Sequence, residues 1–210
     1  MKLYFSRHGE SEANVQQVFW NQREGYGLTD KGREQAEALA GSLAGVQFAA
    51  LYCSPVLRAV QTAQIVGRRL NLTPQVAEGL WEYDVGILEG KPYSKEREDL
   101  YWQVVIQWME HDNHDARIKG ADKNHPGESY NDIKARFMPL IRRLEDTYRD
   151  TEANVLLISH GGTLRAMLPV LLSNVDKAFS MAHPLGYTSP IVAELRDGEW
   201  VCLRWRDVVL

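Results

Sequence analysis

Val155-Leu156-Leu157-Ile158-Ser159-His160-Gly161-Gly162-Thr163 is the stretch whose reading decides the fold. Its first four residues are all large and apolar, without the polar alternation of a half-exposed strand, so they describe a central strand buried on both faces. The run stops at a histidine and two glycines, and a helix is predicted from Thr163 to about Leu172. A buried strand that ends in a polar turn and starts a helix is the unit of an α/β sheet, and chemistry in such sheets gathers at the carboxyl ends of the strands.

Working outward, Lys2 to Ser6 reads as a second strand that ends at Arg7-His8-Gly9-Glu10-Ser11. Thr29 or Asp30 caps a helix whose apolar positions Ala36, Leu39, Ala40 and Leu43 recur at helical spacing. Phe48 to Cys53 is a strand, and Ser54-Pro55 is expected to open a helix with proline in its first turn. A third strand is expected around Gln75 to Ala77, and Leu80 to Gly90 is a glycine-punctuated loop. Pro92 to His125 is rich in charge, holds Trp102 and Trp108, and breaks the alternation. It reads as a mainly helical insertion covering the site. Tyr130 to Tyr148 is an amphipathic helix that Pro139 should kink or split. Ser189 to Leu195 and Trp200 to Trp205 form a terminal hairpin around Asp197-Gly198. The fold class is therefore α/β, a three-layer α/β/α sandwich with a mostly parallel central sheet and mixed directions at one edge. One domain over 1–210, with a cap inserted at about 91–127, accounts for the length.

Composition narrows the function. The hydrophobic fraction is 44% and the charged fraction 25%, as in soluble globular chains. A net charge of -4 and a pI near 5.9 give no basic surface for nucleic acid or an anionic membrane. The start has no signal-peptide form, and no window is apolar enough to span a bilayer. Cys53 and Cys202 each sit in an apolar run, which suggests buried free thiols in a reducing compartment, hence a cytoplasmic location. Assembly is left open, with a homodimer admitted.

Four segments carry reactive or anion-binding residues. Histidine attacks phosphorus only as neutral imidazole, and Arg7 beside His8 both disfavours the imidazolium and grips phosphate oxygens. Gly9 would let backbone approach a ligand. Arg58, one turn inside the helix that Pro55 starts, can reach an anion at that helix's N-terminal end. Glu82, between Trp81 and Tyr83, is a carboxyl among apolar residues, pushed toward the protonated form that a leaving alcohol needs; Asp84 and Glu89 are alternatives. His160 meets the free N–H groups of a starting helix. Singly, each has a plainer reading: structural or capping histidines, a surface arginine, solvated loop charges. His111-Asp112-Asn113-His114-Asp115 contains potential metal ligands, but its spacing is not a zinc pattern and a solvated helix end explains it. Lys91, Lys95 and Arg97 are either cations for a second anionic group or surface charges.

Taken in order, these segments resemble the histidine phosphatase superfamily, also called the phosphoglycerate mutase-like family. The likeness is carried by Arg7-His8-Gly9, Leu28-Thr29, Ser54-Pro55 with Arg58, Gln61-Thr62-Ala63, Glu82 with Gly86 and Glu89-Gly90, Pro126-Gly127-Glu128-Ser129, and Ser159-His160-Gly161. The resemblance implies His8 as nucleophile, Arg7, Arg58 and His160 as the phosphate pocket with Asn14 and Gly161 also touching substrate, and Glu82 as proton donor. The substrate would be a small-molecule phosphate ester, with no cofactor and no metal. Mutases of this family carry a motif resembling Asn-x-Phe-x-Gly-Trp and an arginine directly after the acid glutamate. Here the first region runs Asn14-Val15-Gln16-Gln17-Val18-Phe19-Trp20-Asn21, and Tyr83 follows Glu82, so hydrolysis is expected over mutase activity.

Overall fold

The computed structural model describes every residue from Met1 to Leu210. In chain order the elements are β1 (Lys2–Arg7), α1 (Glu12–Val15), α2 (Asp30–Ser42), β2 (Phe48–Cys53), α3 (Leu57–Leu70), β3 (Gln75–Val76), α4 (Lys95–Met109), α5 (Tyr130–Tyr148), β4 (Asn154–Ser159), α6 (Gly161–Leu171), α7 (Lys177–Ala182), β5 (Ile191–Arg196), β6 (Glu199–Trp205) and β7 (Val208–Val209). The seven strands form one sheet in the order β3-β2-β4-β1-β5-β6-β7. The first four of that order run parallel, while β5, β6 and β7 add antiparallel strands at one edge.

Alternation along the strands divides the core. Leu3, Phe5, Val155 and Leu157 point into a large apolar cluster shared with α4, α5 and α6. Leu156 and Ile158 point the other way, onto Leu39, Ala40 and Leu43 of α2 and Ala59, Ala63 and Val66 of α3. Two cores on opposite faces of one sheet make the expected three-layer sandwich.

The β1–β4 register does more than hold the sheet. It sets Arg7 opposite Ser159, so the next residues on each strand, His8 and His160, emerge side by side. In β2, Cys53 pairs with Ile158, which brings Ser54 out at the same end. Three neighbouring parallel strands thus deliver His8, His160 and Ser54 to one place.

Local expectations are corrected at several points. α3 begins at Leu57, not at Pro55: Ser54 Oγ accepts the Val56 N–H at 3.3 Å and turns the chain before the helix starts, so Arg58 is the second helical residue. α5 runs unbroken through Pro139, because its buried stripe of Ile133, Phe137, Leu140, Ile141 and Leu144 holds the helix despite the missing donor. The inserted segment is helical only in α4. After Met109 the chain to Glu128 is irregular, anchored by buried Ile118 and by the Trp108 indole donating to Ala116 O at 2.7 Å. α1, α7 and β7 have no counterpart in the elements expected from sequence; all three are short, below the length at which periodicity is readable. Cys53 and Cys202 are buried and unpaired, as expected. No helix is long and apolar enough to cross a membrane.

Candidate active site

At the carboxyl ends of β1, β4 and β2 lies a set of almost fully buried polar side chains. His8 is 2% exposed, His160 0% and Arg58 5%. The His8 and His160 ring centroids are 5.0 Å apart. Hydrogen-bonding partners fix both tautomers. His8 Nδ1 lies 2.7 Å from Gly9 O, and a carbonyl only accepts, so Nδ1 carries the proton and Nε2 keeps a lone pair. Arg58 Nε donates to that lone pair at 2.9 Å, and Arg58 Nη2 lies 3.2 Å from His160 Nδ1. Guanidinium only donates, so His160 Nδ1 accepts and its Nε2 carries the proton, 2.7 Å from Ser54 Oγ. Burial first, then Arg58, hold both imidazoles well below their ordinary range, and both are neutral. Burial also lowers Arg58, to about 10, which leaves it charged at neutral pH.

Arg7 sits beside this pair at the end of β1. Its Nη1 donates to Leu185 O at 3.1 Å, and its guanidinium lies 4.1 Å from the centre of the Tyr187 ring. Arg7 Nε is buried without a partner. Neither Arg7 nor Arg58 is within ion-pairing distance of a carboxylate. Two neighbouring guanidiniums without an acid, one with an unmet buried donor, are arranged to receive an anion.

Glu82 departs from its sequence-based setting. Rather than lying among apolar side chains, its carboxyl caps α6: Gly162 N donates at 2.9 Å and Thr163 N at 2.7 Å. Both oxygens act as acceptors at the positive end of the helix, so the resting group is poised to accept. A side-chain Cβ on Gly162 would come within 2.8 Å of Glu82 Oε1 and 2.5 Å of the Tyr83 ring, and glycine is required for this contact. Gly9 has a comparable role. Its open side is filled by the Gly32 carbonyl of α2, 2.4 Å from where a Cβ would stand, so it serves helix packing rather than ligand approach.

A cavity of about 240 Å³ opens over these groups, lined by Arg7, His8, Asn14, Arg58, Glu82 and Gly161 among others. The structure brings those expected site residues to one surface. Asn14 lines the cavity while its Oδ1 caps α1 by accepting from Ser11 N at 3.1 Å. His160 does not line it and stands behind Arg58. The opposite wall comes from the insertion through Tyr93, Glu98, Tyr101 and Trp102, joined by Arg165 of α6. The two tryptophans divide the readings: Trp102 faces the cavity and stacks under Arg165, whereas Trp108 is 1% exposed and packs in the core. Lys91, Lys95 and Arg97 lie outside this cavity, with Lys95 on Asp99 and Arg97 on Pro92 O.

The alternatives to Glu82 face a neighbouring cavity of about 510 Å³. Asp84 accepts from Gly86 N and Gly127 N, and Glu89 from Asn21 N, so both brace the loop. Together with His125 they place potential ligand atoms within 4.8 Å of one another, the closest approach in the chain to a metal-binding group. Asp112 and His114 instead hold Lys177, at 2.5 and 2.9 Å, tying the end of α4 to α7. Ser54, Thr62, Tyr187 and Arg165 are the site's neighbours to which sequence reasoning gave no role. Thr62 accepts the Gly9 N–H at 3.1 Å. Ser54 and Thr62 stood within quoted motifs; Tyr187 and Arg165 had no signal beyond residue type.

Comparison with known proteins follows the same lines. The model described as histidine phosphatase superfamily (branch 1) matches residues 3–208. The 6-phosphofructo-2-kinase/fructose-2,6-bisphosphatase of Caenorhabditis elegans is 33% identical over 94% of this chain, which spans 43% of that relative's length. The 2,3-bisphosphoglycerate-dependent phosphoglycerate mutase of Histophilus somni (strain 2336) is 28% identical over 94% of this chain and 96% of its own. Among solved structures, mycobacterial glucosyl-3-phosphoglycerate phosphatase in complex with VO3 superposes with a TM-score of 0.80 at 27% identity, covering 99% of each chain.

Proposed function

This chain belongs to the histidine phosphatase superfamily, and from that premise we propose that it hydrolyses a small-molecule phosphate monoester through a phosphohistidine on His8. The observation that carries the reading is the His8 tautomer: Nδ1–H is tied to the Gly9 carbonyl, which leaves Nε2, the nitrogen beside Arg58, as the free nucleophile.

The ester phosphate would enter between Arg7 and Arg58. The unmet Arg7 Nε–H and the Gly161 backbone suit its oxygens, and Arg58 would turn its Nε–H from His8 to the phosphate, uncovering the lone pair. His160, behind Arg58, orients the guanidinium through Nδ1. Nε2 of His8 forms the bond to phosphorus in line as the ester P–O bond breaks, and the arginines stabilise charge on the equatorial oxygens. Glu82 hands a proton to the departing alkoxide. Both Glu82 oxygens accept from the α6 backbone, so the proton it passes on arrives with the substrate, a monoanionic ester that carries one. In the second half, water attacks phosphorus as the P–N bond breaks, Glu82 takes its proton and passes it to the departing phosphate, which leaves as the monoanion, and neutral His8 and the resting Glu82 are restored.

Hydrolysis is favoured over phosphoryl return to a second hydroxyl by Tyr83. It is 2% exposed and packs on Tyr101 and Trp108, so the position after Glu82 offers a core aromatic where mutases of the family carry an arginine. Mutase activity remains the second reading, tested by conversion of 3- to 2-phosphoglycerate. Burial raises the Cys53 thiol to about 12 and Cys202 to about 11, which suits a reducing cytoplasm. The test of the main reading is rapid-quench labelling with a radiolabelled phosphate ester. An acid-labile, alkali-stable phosphoenzyme that is lost in His8→Ala is expected, and hydrolysis without one would overturn the covalent step. A panel of phosphate esters then assigns the alcohol.

A further inference from the structure

Ser54 is fully buried where β2 ends, and no step above uses it. Its oxygen accepts from two sides, the Val56 N–H at 3.3 Å and His160 Nε2–H at 2.7 Å. His160 Nδ1 in turn faces Arg58 Nη2, and Arg58 Nε faces His8 Nε2. The four residues form one run of hydrogen bonds in which Arg58 donates both ways, to His8 Nε2 and to His160 Nδ1, and His160 Nε2–H donates onward to Ser54.

We propose that Ser54 is a positioning residue: by accepting from His160 Nε2–H it stabilises, together with the Arg58 donor at Nδ1, the tautomer that presents Nδ1 to Arg58, and so helps to set the plane of the guanidinium that faces the nucleophile. The physical reason is a two-way choice. Neutral imidazole carries one proton; Arg58, which only donates, makes Nδ1 the acceptor, and the Ser54 oxygen gives the proton on Nε2 a buried partner. In the other tautomer an N–H would face an Arg58 N–H, two donors would meet, and the guanidinium would turn away from both His8 and the incoming phosphate. Ser54 could not donate to Nε2 instead without creating that clash. The backbone makes the arrangement rigid, since Ser54 N donates to Ile158 O and the Val56 N–H holds the hydroxyl oxygen from behind.

This inference rests on the phosphatase reading for its kinetic consequence but not for its structural one. In the wild-type protein, long-range ¹H–¹⁵N correlation of the imidazole rings should show His160 as the Nε2–H tautomer and His8 as Nδ1–H; His160 as Nδ1–H would overturn the proposal whatever the enzyme does. In Ser54→Ala, the His160 signals should move toward the other tautomer, and inhibition of p-nitrophenyl phosphate hydrolysis by vanadate should weaken by about 10- to 100-fold, the usual effect of orphaning a buried donor. Ser54→Thr, which keeps the hydroxyl, should restore both. Unchanged tautomer and unchanged vanadate inhibition in Ser54→Ala would sink it. A wild-type protein with the expected tautomers but no turnover of any phosphate ester would instead refute the phosphatase reading.

Discussion

His8 and Arg58 on the floor of the cavity, with His160 behind them, are at most 5% exposed, while Tyr93 and Trp102 on the wall opposite are 38% and 40% exposed. The floor residues are held by strand register and by a closed run of hydrogen bonds from Gly9 O to Ser54 Oγ. The wall residues stand on α4 and its flanks, packed largely aromatic to aromatic: Tyr93 lies 4.4 Å from Phe19 and Tyr101 lies 5.3 Å from Trp102 between ring centres. Directional bonds in a dry site leave one geometry, whereas aromatic packing at a surface tolerates several. Under the proposed function, the difference implies a division of labour in which the floor would set the reaction and the wall would set which alcohol the phosphate leaves.

That division can be broken most severely at His8. His8→Ala should lower turnover of p-nitrophenyl phosphate by at least about 10³-fold, as loss of a covalent nucleophile does, with the circular dichroism spectrum unchanged. Full activity in this variant would end the floor's claim to the chemistry. Next in size, Glu82→Gln should cost about 10²-fold in kcat/KM for an alkyl phosphate, whose leaving group needs a proton, and much less for p-nitrophenyl phosphate, whose leaving group does not. Equal losses on both substrates would assign Glu82 to capping α6 alone.

The floor should also leave a mark on stability. His8 and His160 are depressed in the folded chain, while in the unfolded chain they take up protons as pH falls below about 6.5. The unfolded state then binds more protons, so stability must fall as pH falls through that window, each histidine steepening the slope toward a limit of about 1.4 kcal/mol per pH unit. Urea midpoints measured from pH 7 down to 5.5 should show this, and His8→Gln should make the dependence shallower. The smallest effect belongs to the wall. Trp102→Ala should raise KM several-fold on the preferred ester, with kcat within about twofold, because it removes uniform binding and touches no reacting atom. A large fall in kcat would erase the distinction between floor and wall.

Legibility followed the same line. Arg7, His8 and Arg58 are readable because each falls next to a strand end or helix start, where residue type and periodicity meet, whereas Glu82 lies in a loop beside Asp84 and Glu89 and is singled out only by the family resemblance. Arg165 and Tyr187 join the site across long sequence separations and carry no local pattern. The inserted segment was misread as mainly helical because charge and aromatic content describe its α4 but not the irregular chain that Gly120, Pro126 and Gly127 impose after it.

By itself the sequence determined the layers of the sandwich, the strands that end at the site and the residue types placed there, because local periodicity and turn chemistry act over a few residues. Tertiary structure alone decided the protonation of the two histidines, the capping position of Glu82 and the place of His160 behind Arg58. Each depends on which donor meets which acceptor across a buried contact, and apart from the Gly9 carbonyl next to His8 the partners lie from 50 to 106 residues apart in the chain.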